Sequence, residues 1–425
     1  MRVGEALDIS EDIIALFDEA EEGLATVFKA IEANAEICQC RVLSAMRSNQ
    51  IAQRHFAPTT GYGYGDAGRE ALDTVYAEVF GTEDALVRLT WVSGSHVLGD
   101  ALFALLRPGD IFLSATGKPY DTLGGIIGYG DEKNCASLRA WDIGYKQIEL
   151  NADGGMDVKA ILAAIEKEPR IKAVLIQRSR GYAWRRALTI CEMEEAIQAV
   201  KTAAPWVNIL VDNCYGEFVF DREPSHIGAD LTVGSLIKNP GGGLSPCGAY
   251  AAGTHYAIDR LAQRATAPSI GKEVGAGPYG YRELFMGLFM APHTVAQALK
   301  VAALAAHVFQ DMGYEVSPAP GDGRSDIIQA IRFHDAKSLI AFCQQIQSMS
   351  PVDSHVTPQP WDMPGYSHQV IMAAGTFIEG ASIELSADAP IREPYTAYLQ
   401  GGLTYSHGKM ALMCTADRIH ASKES

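Results

Sequence analysis

The sequence predicts an α/β fold, a large domain on a mostly parallel sheet with helices on both faces, followed by a smaller α+β domain. Three observations lead to it. Between about residues 68 and 290, short apolar runs alternate with helical segments, the pattern of parallel strands joined by crossover helices. Several of those runs are continuously apolar, as strands covered on both faces must be. The chain has 425 residues, more than one hydrophobic core usually organises.

The elements follow in order. Residues 1–60 read as a helical arm ending in a shaped loop. Ser10 is its N-cap candidate, Ile13, Ile14, Leu16 and Phe17 begin its apolar face, and helical spacing continues through Val27, Ile31 and Ile37 to about Ala52. The stretch 57–65, APTTGYGYG, cannot be a regular element. Residues 61–290 form the large domain, with candidate strands at 84–90, 110–113, 173–176, 209–211, 231–234 and 248–252 and a helix at 193–202. After Pro292 the chain changes character, so 291–425 is assigned to the small domain. An Ala-rich helix (294–313) leads to Tyr314-Glu315-Val316, then strand-like runs at 327–333 and 369–373 flank a helix at 336–349.

Composition narrows the function classes. Apolar residues make 48% and charged residues 20% of the chain, a globular balance. A net charge of −16 argues against a nucleic-acid backbone or an anionic membrane surface as partner. The eight cysteines, at 38, 40, 135, 191, 214, 247, 343 and 414, show no zinc spacing, and reduced, mostly buried thiols are expected, with no metal site. The N-terminus is acidic where a signal peptide would be basic, and no run reaches 18 apolar residues. The cytoplasm is the expected location.

Chemistry concentrates at the predicted strand ends, where open α/β sheets build their sites. Lys238 follows the apolar run 231–237 and precedes Pro240 and three glycines. A lysine desolvated there can have a lowered pKa and attack an aldehyde; an exposed loop lysine is the plain alternative. Ser235 lies three residues earlier, its hydroxyl available to an anion. Asp212 ends the run Ile209-Leu210-Val211, 26 residues before Lys238, where a carboxylate must be paired or poised over a site. Gly94, Ser95 and His96 open a helix whose free N–H groups suit a phosphate. Tyr120 follows the 110–113 run and can stack on a flat ligand or donate a proton. Each signal is weak alone, and each has a structural alternative; their order along the chain is informative.

That order, with GYGYGDAGRE (61–70), SGSHVLGDALFALLRPGD (93–110), YDTLGGIIG (120–128), IQRSRGYAW (176–184), VDNCYGEF (211–218), LIKNPGGG (236–243), IREPY (391–395) and GGLTYSHGK (401–409), resembles the aluminium-resistance or methionine gamma-lyase-like proteins. These are fold-type-I pyridoxal phosphate enzymes related to the cystathionine and methionine lyases, and the resemblance covers nearly the whole chain. It implies pyridoxal 5′-phosphate held as a Schiff base on Lys238, its ring nitrogen on Asp212, its phosphate on Gly94, Ser95 and Ser235, and Tyr120 over the ring. It implies that Arg392 binds the substrate carboxylate, with a surface arginine as the alternative. It also implies a homodimer or homotetramer with shared active sites, in which Tyr62 and Tyr64 reach a neighbouring subunit's phosphate. The expected activity is β- or γ-elimination on a sulfur amino acid such as cystathionine, cysteine or methionine. Aldol cleavage, racemisation or transamination on the same cofactor stays open, and a non-catalytic protein on this fold is the remaining alternative.

The chain departs from the lyases in three places. No arginine follows two residues after Tyr62 or Tyr64, Ile237 precedes the lysine where many relatives have a hydroxyl, and Gln177-Arg178-Ser179-Arg180 stands where the lyases carry an asparagine. Arg178 and Arg180 are expected to be surface arginines or to serve an anionic group in the site.

Overall fold

The structure, a computed structural model, describes residues 3–129, 136–363 and 368–424. The large sheet contains β1 (Asp84–Arg88), β2 (Ile111–Ser114), β3 (Gly144–Gln147), β4 (Ile171–Gln177), β5 (Asn208–Asp212), β6 (Leu231–Ser235) and β7 (Ala249–Gly253). Their order is β1-β7-β6-β5-β4-β2-β3. β7 runs antiparallel to both its neighbours, and the other pairings are parallel. The expected strands are all present. β3 escaped notice because Gly-Tyr-Lys-Gln is a half-exposed edge strand with no apolar run.

The pleat of β4 explains the continuous apolar runs. Val174 and Ile176 pack against Ile161, Ile165, Met193 and Ile197 on one face. Leu175 points the other way, into a cluster with Val97, Leu102, Ile258 and Leu261. With both faces covered by helices, every position favours an apolar residue.

The second sheet is antiparallel, in the order β10-β11-β12-β9-β8, from β8 (Glu315–Ser317), β9 (Gln329–Arg332), β10 (Val370–Ala373), β11 (Ser386–Pro390) and β12 (Thr396–Gln400). β11 and β12 pair with Asp388 opposite Tyr398 and Ser386 opposite Gln400. Ala387, Ala389, Ala397 and Leu399 enter the small-domain core. Alternation therefore places Asp388, Tyr398 and Gln400 on the other face, toward the large sheet.

Two expectations about the helices need correction. Pro292 does not begin a new region: one helix runs Arg282–Asp311 with Pro292 buried inside it. Leu284, Phe285 and Leu288 pack into the large-domain core, and Val301, Leu304, Val308 and Phe309 into the small-domain core. By length and composition this helix could cross a membrane; here it is mostly buried in protein. The N-terminal helix is also two, Glu11–Gly23 and Ala25–Ser48, broken at Leu24. Ser10 occupies the N-cap position, but its hydroxyl donates to Asp417 Oδ1 at 2.6 Å instead of capping. Phe17 enters the small-domain core and Cys38 and Val42 the large one, so the arm lies along its own chain. The seven described cysteines are free, yet Cys40 and Cys191 are exposed, against the expectation of mostly buried thiols; Cys135 lies outside the described residues.

Candidate active site

Five loops at the C-terminal ends of parallel strands converge on one cleft, which the antiparallel sheet closes from the other side. Its walls include Gly94, Ser95, Tyr120, Asp212, Ser235 and Lys238, six of the ten binding or catalytic candidates singled out from the sequence; His96, beside Ser95, does not line it. The small-domain wall is built from Ile328, Tyr398 and Gln400.

Lys238 is held by its turn. Asn239 Nδ2 donates to the Glu217 carbonyl at 2.9 Å, and the chain folds back so tightly that a Cβ on Gly241 would lie 1.7 Å from the Leu236 oxygen. Gly242 and Gly243 then take φ values of 56° and 79°, which glycine adopts without steric cost. The lysine Nζ lies 4.0 Å from the centroid of the Tyr215 ring. The expected lowering of its pKa is overturned. Burial works against the charge, but the acidic groups around it, Cys214, Tyr215, Asp212 and Glu217, outweigh that as they ionise, and the amine keeps its proton beyond an ordinary lysine.

Asp212 ends β5 beside Gln177 of β4 and Val233 of β6, and its Oδ1 accepts from the Cys214 N–H at 3.2 Å. At the other end of the cleft, the helix Gly94–Leu105 starts with Ser93 as N-cap, whose side chain accepts from His96 N. The first N–H groups of such a helix have no intrahelical acceptor. Ser235 Oγ is buried there without a hydrogen-bond partner. A Cβ on Gly94 would sit 3.2 Å from Cys214 Sγ and 3.5 Å from Ser235 Cβ, crowding the gap between helix end and strand end. An orphaned hydroxyl facing a helix N-terminus suits a phosphate. Phosphate end, carboxylate and lysine thus line one cleft, an arrangement fitted to a flat, phosphate-bearing aldehyde with a basic ring nitrogen.

Tyr120 is fixed through its backbone, whose N–H donates to Gln177 Oε1 at 2.7 Å, and its ring meets Tyr182 edge-on at 5.7 Å. Gln177, in the segment that departs from the lyases, lines the cleft. Arg178 and Arg180 do neither of the things expected of them: both are fully buried and neither lines the cleft. Arg178 donates to Asn213 Oδ1 at 2.8 Å and stands 3.7 Å from Glu223, bracing the loop after Asp212 from behind. Arg180 donates to the Ser317 carbonyl at 2.8 Å and to its hydroxyl at 3.1 Å, tying the two sheets together.

The other three candidates lie apart. Tyr62 and Tyr64 are 85% and 75% exposed on their glycine-rich loop, outside the cleft. Arg392 is exposed on an adjoining cleft that shares Tyr182 and Tyr398 with the main one, and donates to the Tyr182 carbonyl at 3.4 Å.

Sequence reasoning missed several wall and support residues. Tyr215, three residues beyond Asp212, could have been found from its place after the strand end. Asp388 could not: it reaches the site through sheet register, accepting from Gln400 Nε2 at 2.9 Å and from Tyr182. Burial raises its pKa against those two bonds and the charge of Lys238. Glu217, beneath Lys238, is fully buried and pushed up to about 8 by burial and by nearby Glu223, against the Tyr250 hydroxyl it accepts at 3.0 Å and the charge of Lys238.

Comparison with known proteins agrees with this geometry. The methionine gamma-lyase family profile matches residues 13–420. A carbon–sulfur lyase involved in aluminium resistance from Clostridium novyi NT is 46% identical, with 98% of each chain covered and a TM-score of 0.94. A structure from Clostridium acetobutylicum, provisionally named as a cystathionine beta-lyase involved in aluminium resistance, is 45% identical over 98% of this chain and 97% of its own, also with a TM-score of 0.94. The uncharacterised protein YnbB of Bacillus subtilis (strain 168) is 49% identical over 94% of this chain and 95% of its own length. The chain therefore belongs to the methionine gamma-lyase family.

Proposed function

We propose that this protein is a pyridoxal 5′-phosphate-dependent carbon–sulfur lyase acting on a sulfur-containing amino acid such as cystathionine, cysteine or methionine. The observation that carries the reading is the convergence of Lys238, Asp212 and the Gly94–Ser235 anion seat on one cleft. When bound, the cofactor supplies an electron sink that stabilises negative charge at the substrate Cα.

The chain's own residues do the rest. Lys238 Nζ would hold the cofactor aldehyde and, as a free amine, would carry the substrate Cα proton. The Asp212 carboxylate keeps the ring nitrogen protonated. Gly94, Ser95 and Ser235 hold the phosphate, and Tyr120 covers the ring and donates a proton to the departing sulfur. Arg392, on the adjoining cleft, takes the substrate carboxylate with its planar fork. A second copy of the chain completes the site, bringing Tyr62 and Tyr64 to the phosphate. In support, the two rings are exposed and a Cβ on Gly63 or Gly65 would meet nothing within 4 Å, so the loop is open to a partner.

The test is a visible spectrum of the protein with pyridoxal phosphate, followed by keto-acid and thiol release across cystathionine, cysteine and methionine. The proposal expects a coloured adduct that Lys238→Ala abolishes, with release of keto acid from at least one of these substrates. A Lys238→Ala protein with wild-type colour and turnover refutes it.

A further inference from the structure

Tyr215, whose ring lies beside the reactive amine, has no task in the reading above. Its backbone sits at φ 72°, a left-handed conformation that costs a bulky residue energy and persists only where the surroundings impose it. The surroundings are specific. The following residue, Gly216, packs so closely on Arg178 that a Cβ there would lie 2.5 Å from the arginine Cδ. On the small-domain side, Ser382 Oγ donates to the Tyr215 hydroxyl at 3.2 Å, and the ring packs against the cluster of Ile328, Ala330 and Tyr398. The ring is thus gripped from both domains with one face turned to Lys238, whose Nζ stands 4.0 Å from its centroid. That distance lies well inside the range in which an aromatic face attracts an ammonium ion.

We propose that Tyr215 is a positioning residue for Lys238, its ring face holding the Nζ ammonium inside the cleft whenever the amine carries a proton. This rests on the reading of Lys238 as the proton carrier. In that role the lysine must be an ammonium in a cleft with little water, and the ring quadrupole stabilises that charge without taking the proton. Other groups facing Lys238 are Asp212, Cys214, Glu217 and, from the small domain, Asp388. Burial raises the pKa of both Cys214 and Tyr215, so at neutral pH they are uncharged. In the loaded enzyme Asp212 is committed to the cofactor ring, and burial raises the pKa of both Glu217 and Asp388, so the ring face is the neighbour whose attraction for the ammonium does not depend on a buried carboxylate staying ionised; in the cofactor-free protein Asp212 is present in every variant alike.

The experiment measures the proton affinity of Lys238 directly. In the cofactor-free full-length protein, the rate of Lys238 acylation is followed against pH by mass spectrometry, for wild type, Tyr215→Leu, Ser382→Ala and a series with phenylalanine carrying increasing numbers of ring fluorines at position 215. In the cofactor-loaded protein, the alkaline limb of kcat/KM is compared for the same set. A desolvated cation–π contact implies that Leu lowers the lysine pKa by about one unit, a roughly tenfold faster acylation at fixed pH below that pKa. Each added fluorine lowers it progressively, while Ser382→Ala, which leaves the ring, stays near wild type. The isosteric fluorinated rings keep the test intact should Leu fail to fold. An unchanged lysine pKa across the fluorine series, or a Ser382→Ala shift as large as that of Leu, overturns the proposal. The acylation readout requires no turnover, so failure of the lyase assignment is separately visible as a Lys238→Ala protein with wild-type activity.

Discussion

Replacing Glu217 with glutamine should make the folded protein less sensitive to alkaline pH. The carboxyl is fully buried, accepts from Tyr250, and has one oxygen, Oε2, without any hydrogen-bond partner. Burial raises its pKa from 4.5 to about 8. The folded chain therefore holds this proton more tightly than the unfolded chain does. The resulting stability is fully present below the unfolded value and is lost as the pH rises through the folded one. At about 1.4 kcal/mol per pH unit, the interval corresponds to at most about 5 kcal/mol. Glutamine is the uncharged isostere and carries no such loss. Urea unfolding midpoints measured from pH 5 to 9 provide the assay: the wild-type midpoint should fall across this range more steeply than that of Glu217→Gln, the two curves diverging upward in pH. Parallel curves would show that Glu217 ionises in the folded state as readily as in the unfolded chain and would refute the reasoning.

Three further outcomes follow from the same geometry. Gly234→Ala should destabilise the protein by about 3 kcal/mol or more, because the new Cβ would lie 2.2 Å from Glu217 Oε1 and 2.5 Å from the Tyr250 ring in a filled core; thermal unfolding measures it, and a melting temperature within a degree of wild type contradicts it. Asp212→Asn should keep the fold and bind pyridoxal phosphate, yet lower kcat by about 100-fold or more, since an amide does not hold the ring nitrogen protonated; steady-state rates on the best substrate check this. Lys238→Ala should lose the coloured adduct and about 100- to 10,000-fold of activity, with its far-ultraviolet circular dichroism unchanged.

Much of the architecture was legible because its cause is local. A parallel strand covered on both faces needs apolar residues at every position, so β4, β5 and β6 stand out as runs, and the first polar residues beyond them, Asp212 and Lys238, mark the strand ends where the cleft forms. β3 lacked that signal because it lies at an edge. Pro292 misled for a related reason. A proline argues for a helix boundary by removing one backbone hydrogen bond, but the buried side chains along both halves of Arg282–Asp311, among them Leu284, Leu288, Leu304 and Phe309, outweigh that loss.

The sequence alone determined the sheet type and placed the Gly94 turn, Asp212 and Lys238 at strand ends that share one cleft, because each is set by the polarity pattern of a few neighbouring residues. Tertiary structure decided the protonation and surroundings of Lys238. Its amine is held as an ammonium because folding brings the acidic groups Cys214, Tyr215, Asp212 and Glu217 around it, with the Tyr215 ring centroid 4.0 Å from Nζ. It also decided that Arg178 and Arg180 are buried braces and not surface or site residues, since only folding brings Asn213 and Glu223, from the loop after the neighbouring strand, to Arg178 and Ser317, from the second sheet, to Arg180. Electrostatic environment is a sum over neighbours in space, and most of those neighbours are remote along the chain.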